Sequence, residues 1–286
     1  MDASRIIRVF PRKTNATPDD ALAFTKAPTK ADINSLAFSV VDAVHICVVF
    51  TYDLPKAEEL YKKWAVLGVP VLMGGPAFGK PGGEFTPGLY LKKGYTITSR
   101  GCSNNCWFCT VPKREGGFRE LKIKDGHNIL DDNILMCSRE HFTAVIEMLR
   151  RQPERPIFTG GLEARLLQPW QADLIKSIKA KRIYCSYDTP DDYEPLVQAG
   201  RILQAAGFTK ASHSLRCYVL IGYPGDTMEK AEKRLCDTIR AGFMPYAMLW
   251  RDNNGEKDTE WGKFQRLWVL PRIVGTKAKE IWGSTT

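Results

Sequence analysis

Three cysteines within eight residues, Cys102, Cys106 and Cys109, are the part of this chain best suited to chemistry. Thiolates are the usual ligands of iron-sulfur clusters, and a cubane cluster has four irons to satisfy. Three cysteines leave one iron open, as a catalytic cluster requires if it is to bind and reduce something other than protein. The other reading of the same residues is a structural zinc site, closed into a tetrahedron by a fourth ligand such as His127 or Cys137. Zinc sites usually bring cysteines as separated C-x2-C pairs, whereas the spacing here is C-x3-C-x2-C. The remaining Cys47, Cys137, Cys185, Cys217 and Cys236 lie far apart, so neither a disulfide framework nor an auxiliary cluster is expected. Cys137 and Cys217 stay open as candidates for covalent or radical work.

Elements on either side must hold this segment in place. Residues 1-37 carry Pro11, Pro18 and Pro28 among polar residues and read as an irregular N-terminal arm. The run from Ala43 to Phe50 reads as a buried strand, Lys56 to Leu67 as an amphipathic helix and Val69 to Met73 as a second strand, which makes one βαβ unit in a small α/β domain over 38-88. The Gly- and Pro-rich stretch from Gly74 to Gly88 marks a linker. Beyond it, strands are expected at Gly94–Ser99, Asn128–Leu130, Pro156–Phe158, Arg182–Ser186, Arg216–Ile221 and Tyr246–Leu249. Helices fit between them at His141–Arg150, Pro169–Lys179, Tyr193–Ala206 and Met228–Ala241. This alternation predicts an α/β fold with a partial (β/α)6 TIM-like barrel over 89-250, preceded by the small βαβ segment and followed by an extension over 251-286. In such folds reactive groups stand at the C-terminal ends of the strands.

Composition bounds the rest. With 44% apolar and 26% charged residues the chain reads as globular, and its apolar runs are far shorter than the roughly 20 residues of a membrane span. No secretory leader pattern opens the sequence, which favours a reducing cytoplasm and no membrane partner. A net charge of +9 admits a polyanionic partner such as nucleic acid. The basic and aromatic stretch from Trp261 to Lys279 reads first as a tail that packs Trp261, Phe264 and Trp268 on the barrel.

The segment Thr98-Ser-Arg-Gly-Cys102-Ser-Asn-Asn-Cys106-Trp-Phe-Cys109 resembles the hallmark of the radical S-adenosylmethionine (SAM) superfamily, C-x3-C-x-φ-C, with Phe108 as the aromatic. The resemblance covers roughly residues 94-250. It implies a [4Fe-4S] cluster on the three cysteines, SAM chelated by the open iron, and cleavage of SAM to methionine and a 5'-deoxyadenosyl radical that abstracts hydrogen from substrate. It also implies an electron donor such as flavodoxin or ferredoxin. By the same resemblance Asp132 and Asn133, after the second strand, take the place of the family's Gly-Gly-Glu motif at the SAM amino group. Gly160 and Gly161 look like a displaced version of that motif, with Glu163 either a contact or a first-turn carboxylate. Asp188 is the candidate for ribose or substrate, and Ile221 and Gly222 match the segment that backs the adenine. Asp132, Asp226 and Thr227 read equally as helix-capping residues.

The wording around Cys102 is similar to methylthiotransferases and to cobalamin-dependent radical SAM enzymes. Only Cys47 precedes the motif, and a short tail follows the last strand, which departs from the methylthiotransferase pattern. Val71-Leu-Met-Gly-Gly-Pro76 resembles the end of a cobalamin-domain strand, yet the Asp-x-His-x-x-Gly ligand motif is absent because Asp42 and His45 stand three apart. The expectation is a reduced remnant domain without cobalamin. The broad reading is a radical SAM enzyme acting on a small molecule, nucleotide or nucleic acid. The alternatives are a cobalamin-type radical SAM methyltransferase and a non-catalytic zinc or iron-sulfur protein that binds nucleic acid.

Overall fold

Strands alternate with helices through most of the chain, and in the two larger sheets every strand lies parallel to its neighbours, as crossover helices between strands allow. A computed structural model describes residues 5–34, 41–252, 254–256 and 258–283. The outer parts of the expected arm (1–4 and 35–37), the first residues of the expected small domain (38–40) and the last of the extension (284–286) lie outside the described residues. Two parallel sheets make the protein α/β.

The first sheet contains β1 (Ile6–Val9), β2 (Ala23–Phe24), β3 (Ala43–Cys47) and β4 (Val71–Gly74) in the order β2-β1-β3-β4, all parallel. A short helix, α1 (Lys30–Asn34), follows β2, and α2 (Leu54–Trp64) joins β3 to β4. The expectation of an irregular arm is corrected here. Ile6, Ile7, Arg8 and Val9 are all buried and pair with β3, since an apolar tetrapeptide beside an exposed strand edge has more to gain from the ladder than from water. Ile7, Val9, Val44, Ile46, Leu60 and Trp64 form the core between sheet and helix.

The second sheet runs β5 (Tyr95–Thr96), β8 (Asn128–Ile129), β9 (Ile157–Phe158), β10 (Arg182–Ser186), β11 (Leu215–Ile221) and β12 (Met244–Leu249) in sequence order, all parallel, with β5 and β12 as open edges. Between β5 and β8 the chain forms β6 (Ser99–Arg100), α3 (Val111–Glu115) and β7 (Arg119–Glu120). The crossovers are α4 (Arg139–Arg150), α5 (Pro169–Ser177), α6 (Tyr193–Ala205) and α7 (Met228–Arg240). Local chemistry starts them: Ser138 accepts from His141 N and Thr227 from Lys230 N, each satisfying a first-turn amide. The helices bury Phe142, Ile146, Ala172, Leu196 and Leu235 against the sheet residues Ile129, Phe158, Cys185, Val219 and Ala247.

Beyond β12 come α8 (Thr259–Val269) and α9 (Pro271–Gly283). Trp268 is buried, and Trp261 and Phe264 pack partly buried on the same core, as the tail reading expected. Gln265 Nε2 donates to the Ala247 carbonyl at 3.0 Å, so α8 satisfies part of the open edge of β12. Among the described residues no helix is long and apolar enough to cross a membrane.

Candidate active site at the ends of the parallel strands

The sequence reading put the cysteines directly after one strand running from Gly94 to Ser99. The structure breaks that strand after Thr96 and starts a separate two-stranded antiparallel arm, in which Ser99 pairs with Glu120 and Arg100 with Arg119. The cause is Asp131. Its Oδ1 accepts from Thr98 N at 2.6 Å, and its Oδ2 accepts from the Thr98 hydroxyl at 2.6 Å and the Ser99 hydroxyl at 2.7 Å. A buried carboxylate with three donors outcompetes the ladder for Thr98 and turns the chain outward. Desolvation nevertheless raises the Asp131 carboxyl to about 6, with the hydrogen bonds acting to lower it. Thr98 O in turn accepts from Leu121 N at 2.8 Å and lies 3.0 Å from His141 Nε2, which ties the arm to the start of α4.

The segment between β6 and β7 carries all three cysteines across the C-terminal ends of the sheet. After β8, Asn133 Nδ2 donates to Cys102 Sγ at 3.4 Å, Asp132 Oδ2 accepts from Gly101 N at 2.9 Å, and Ser103 N donates to Met136 Sδ at 3.3 Å. After β9, Glu163 accepts from the Asn104 side-chain amide. After β11, the Tyr223 ring meets Trp107 edge-on with centroids 5.4 Å apart. Arg165 Nη2 contacts Asp192 Oδ1 at 2.8 Å, which links the ends of β9 and β10 beside the same loop. Glu163 Oε1 also accepts from Arg165 N at 3.1 Å, capping the turn Ala164–Leu166 from the position before it and not from within the first turn as expected, while its other oxygen holds the cysteine loop.

All eight cysteines are free thiols, and Cys102, Cys106 and Cys109 are half-buried. Burial raises the Cys106 and Cys109 thiols, and the charge of the neighbouring sulfurs raises them further. Among the described residues no three His, Cys, Asp or Glu side chains are arranged to hold a metal ion. The three sulfurs match a thiolate-ligated cluster in donor type and number, but among the described residues they are not drawn together into a binding arrangement. The Asn133 Oδ1 beside them is buried without a hydrogen-bond partner, an orphan of the kind that marks a ligand position.

Neither proposed fourth zinc ligand joins this loop. His127 stands at the opposite, N-terminal end of β8, with Nδ1 2.7 Å from Glu154. Cys137 is buried, and desolvation pushes its thiol up to about 12.

Of the other expected site residues, Asp132 and Asn133 meet the cysteine loop as described, and Asp132 also accepts from Arg114 at 3.3 Å rather than capping a helix. Gly160 is packed against backbone: a Cβ there would lie 2.1 Å from Asp131 O. It keeps β8 and β9 close where they reach the rim. Gly161 has a φ of 95°, and a Cβ there would make only an ordinary contact, 3.8 Å from Tyr184 O. Asp188 joins strand ends, its Oδ1 accepting from Leu220 N at 2.8 Å, and desolvation raises its carboxyl to about 7. The Ile221 side chain lies in the helix-side core, away from the cysteine loop. Gly222 lies under the Trp261 ring of α8, within 2.9 Å of where a Cβ would be, and its N donates to Asp226 Oδ2 at 2.9 Å. Asp226 is held in a buried ion pair with Arg234 at 2.8 Å instead of capping α7.

Sequence reasoning passed over Asp131, which sits beside the two residues chosen. Its signal was present: in a parallel strand the residue at the C-terminal end is the one that meets the neighbouring strand's exit. Compared with models of known protein families the chain matches none, and no curated protein matches it.

Proposed function

We propose that this chain is a radical SAM enzyme in which Cys102, Cys106 and Cys109 hold a [4Fe-4S] cluster over a partial (β/α)6 TIM-like barrel. The sequential order of six parallel strands supports the barrel, and the C-x3-C-x2-C spacing supports the cluster. The single observation that carries the reading is the cysteine loop itself, tied by Asn133, Glu163 and Tyr223 to three different strand ends on the face where parallel sheets do chemistry.

When bound, the cluster and SAM would supply an electron and a reactive carbon radical, the electron coming from a carrier such as flavodoxin or ferredoxin. The protein's own residues orient and shelter. Asn133 donates to Cys102 and fixes the position of its sulfur at the end of β8. Asp131 and Asp132 fix the two ends of the arm's first turn, and Asn104–Glu163 fixes the middle. Asp188, with a carboxyl near 7, can hold or release a proton close to neutral pH at the oxygen that Leu220 N does not occupy.

A methyl-transferring, cobalamin-type variant is the second reading. One observation favours it: the N-terminal sheet has the doubly wound order β2-β1-β3-β4, larger than the single βαβ unit expected. Against corrin in its crevice, Arg251 lies over the Tyr52 ring at 5.5 Å and Gly255 packs on the same ring just beyond β3, filling that end of the sheet.

The test is made on anaerobically purified protein reconstituted with iron and sulfide. Dithionite and SAM are added, and 5'-deoxyadenosine and methionine are quantified. Their dithionite-dependent formation, lost in Cys106→Ala, supports the proposal; cleavage retained in that variant, or zinc in place of iron with no cleavage, sinks it.

A further inference from the structure

The two faces of the six-stranded sheet differ in chemistry. Side chains alternate along a strand, and one set forms the helix-side core through Ile129, Phe158, Cys185, Val219 and Ala247. The intervening set carries Tyr95, Asn128, Tyr184, Arg216, Tyr218 and Tyr246, with Tyr95 opposite Asn128, Tyr184 opposite Arg216 and Tyr218 opposite Tyr246. The Tyr184 and Tyr218 rings stack 4.5 Å apart with an 11° interplanar angle, and Tyr246 meets Tyr218 edge-on at 6.0 Å. Tyr246 is 37% exposed and Met248, two residues on, 42%, so the row opens to solvent at the β12 edge.

Arg216 stands in this row without a counter-ion. Among the described residues no carboxylate pairs with it, in contrast to Arg8, Arg114, Arg165 and Arg234, and its Nε is buried with no hydrogen-bond partner. On β8 the Asn128 Oδ1 is buried and unpartnered as well. Buried polar atoms rarely go unsatisfied, and a guanidinium among aromatic faces with no carboxylate calls for an anion from outside.

We infer that this face binds a planar, unsaturated ring bearing an acidic group, a phosphate or a carboxylate. The ring lies on the tyrosine row, the anion takes Arg216, and Asn128 Oδ1 accepts from an N–H of the ring or of its exocyclic amine. Arg216 and Gly222 are six positions apart, about 20 Å of strand, so a nucleotide-sized ligand held at Arg216 extends part of the way toward the cysteine loop. That this ligand is the substrate rests on the radical SAM proposal; that it binds does not.

Calorimetric titration of the full-length protein tests it. The probes are uridine and adenosine monophosphate for the phosphate source and indole-3-carboxylate for the carboxylate source, with uridine, adenosine and indole as uncharged partners. One charged class is expected to bind about tenfold or more tightly than its uncharged partner, the scale of one charge-assisted hydrogen bond. Arg216→Gln should erase that difference, and Tyr246→Ala, at an exposed position, should weaken charged and uncharged probes alike. Excess SAM should not displace the probe. Equal binding of charged and uncharged partners, unchanged affinity in Arg216→Gln, displacement by SAM, or no binding by any probe would each overturn the inference; if Arg216→Gln does not fold, an unaltered Tyr246→Ala does so. Probe binding without SAM cleavage would count against the radical SAM proposal alone, and SAM cleavage without probe binding against this inference alone.

Discussion

The side-chain amide of Asn133 donates to Cys102 Sγ at 3.4 Å while its carbonyl oxygen is buried with no partner. An unsatisfied buried acceptor costs about 1–3 kcal/mol. Asn133→Leu is therefore expected to leave the cluster-free protein as stable as before or to raise its melting temperature. The same variant should lose iron and SAM cleavage after reconstitution. A cluster-free protein destabilised by the substitution, with iron content unchanged, would contradict the assignment.

Asp131 determines where the cysteine arm leaves the sheet. Asp131→Asn replaces one acceptor oxygen with a donor facing the amide or hydroxyls of Thr98 and Ser99. The expected loss is about 2–3 kcal/mol, read by urea denaturation, accompanied by reduced iron retention because the arm is no longer anchored. Equal stability of variant and wild type would show that the arm is held by other contacts.

The paired glycines at the end of β9 should separate in a mutant series. Gly160→Ala drives a Cβ into the Asp131 backbone and is expected to cost about 3 kcal/mol, the upper end for overpacking. Gly161→Ala makes only an ordinary 3.8 Å contact with Tyr184 O and carries the penalty of its positive φ, about 1 kcal/mol. Thermal melting of the two variants ranks them, and the reverse order would refute the packing role of Gly160.

Asp188 gives a pH dependence with a definite sign. Its folded carboxyl, raised from 3.8 to about 7 chiefly by desolvation, holds a proton more tightly than the unfolded chain does. The stability this contributes is complete below about pH 4 and is lost as pH rises through 7. Relative to wild type, Asp188→Asn should therefore gain stability as pH rises from 4 to 8. A difference independent of pH across that window would show that Asp188 is not desolvated.

Much of the fold was legible because its signals are local. The helices of the six-stranded half begin within two residues of the expected positions, where Ser138 and Thr227 cap them. The strand expected at Arg216–Ile221 is β11, in which Leu215, Cys217, Val219 and Ile221 alternate as the buried residues. β1 was missed because Ile6–Val9 is too short to show a period, and prolines nearby mask it. The end of the first strand of the six-stranded sheet was missed because Thr98 is as good a strand residue as any, and Asp131, 33 positions away, removes it from the ladder.

The residue types and spacing of Cys102, Cys106 and Cys109, the parallel α/β alternation and the helix starts were determined by the sequence itself, since each depends on neighbours a few positions apart. Tertiary structure alone decided that the cysteines ride on an antiparallel arm, that Asn133 meets Cys102 and Glu163 meets Asn104 of their loop, that Trp261 covers Gly222, and that Arg216 has no counter-ion among the described residues. Those outcomes depend on which strand ends and side chains the crossovers bring together, and no local period encodes that.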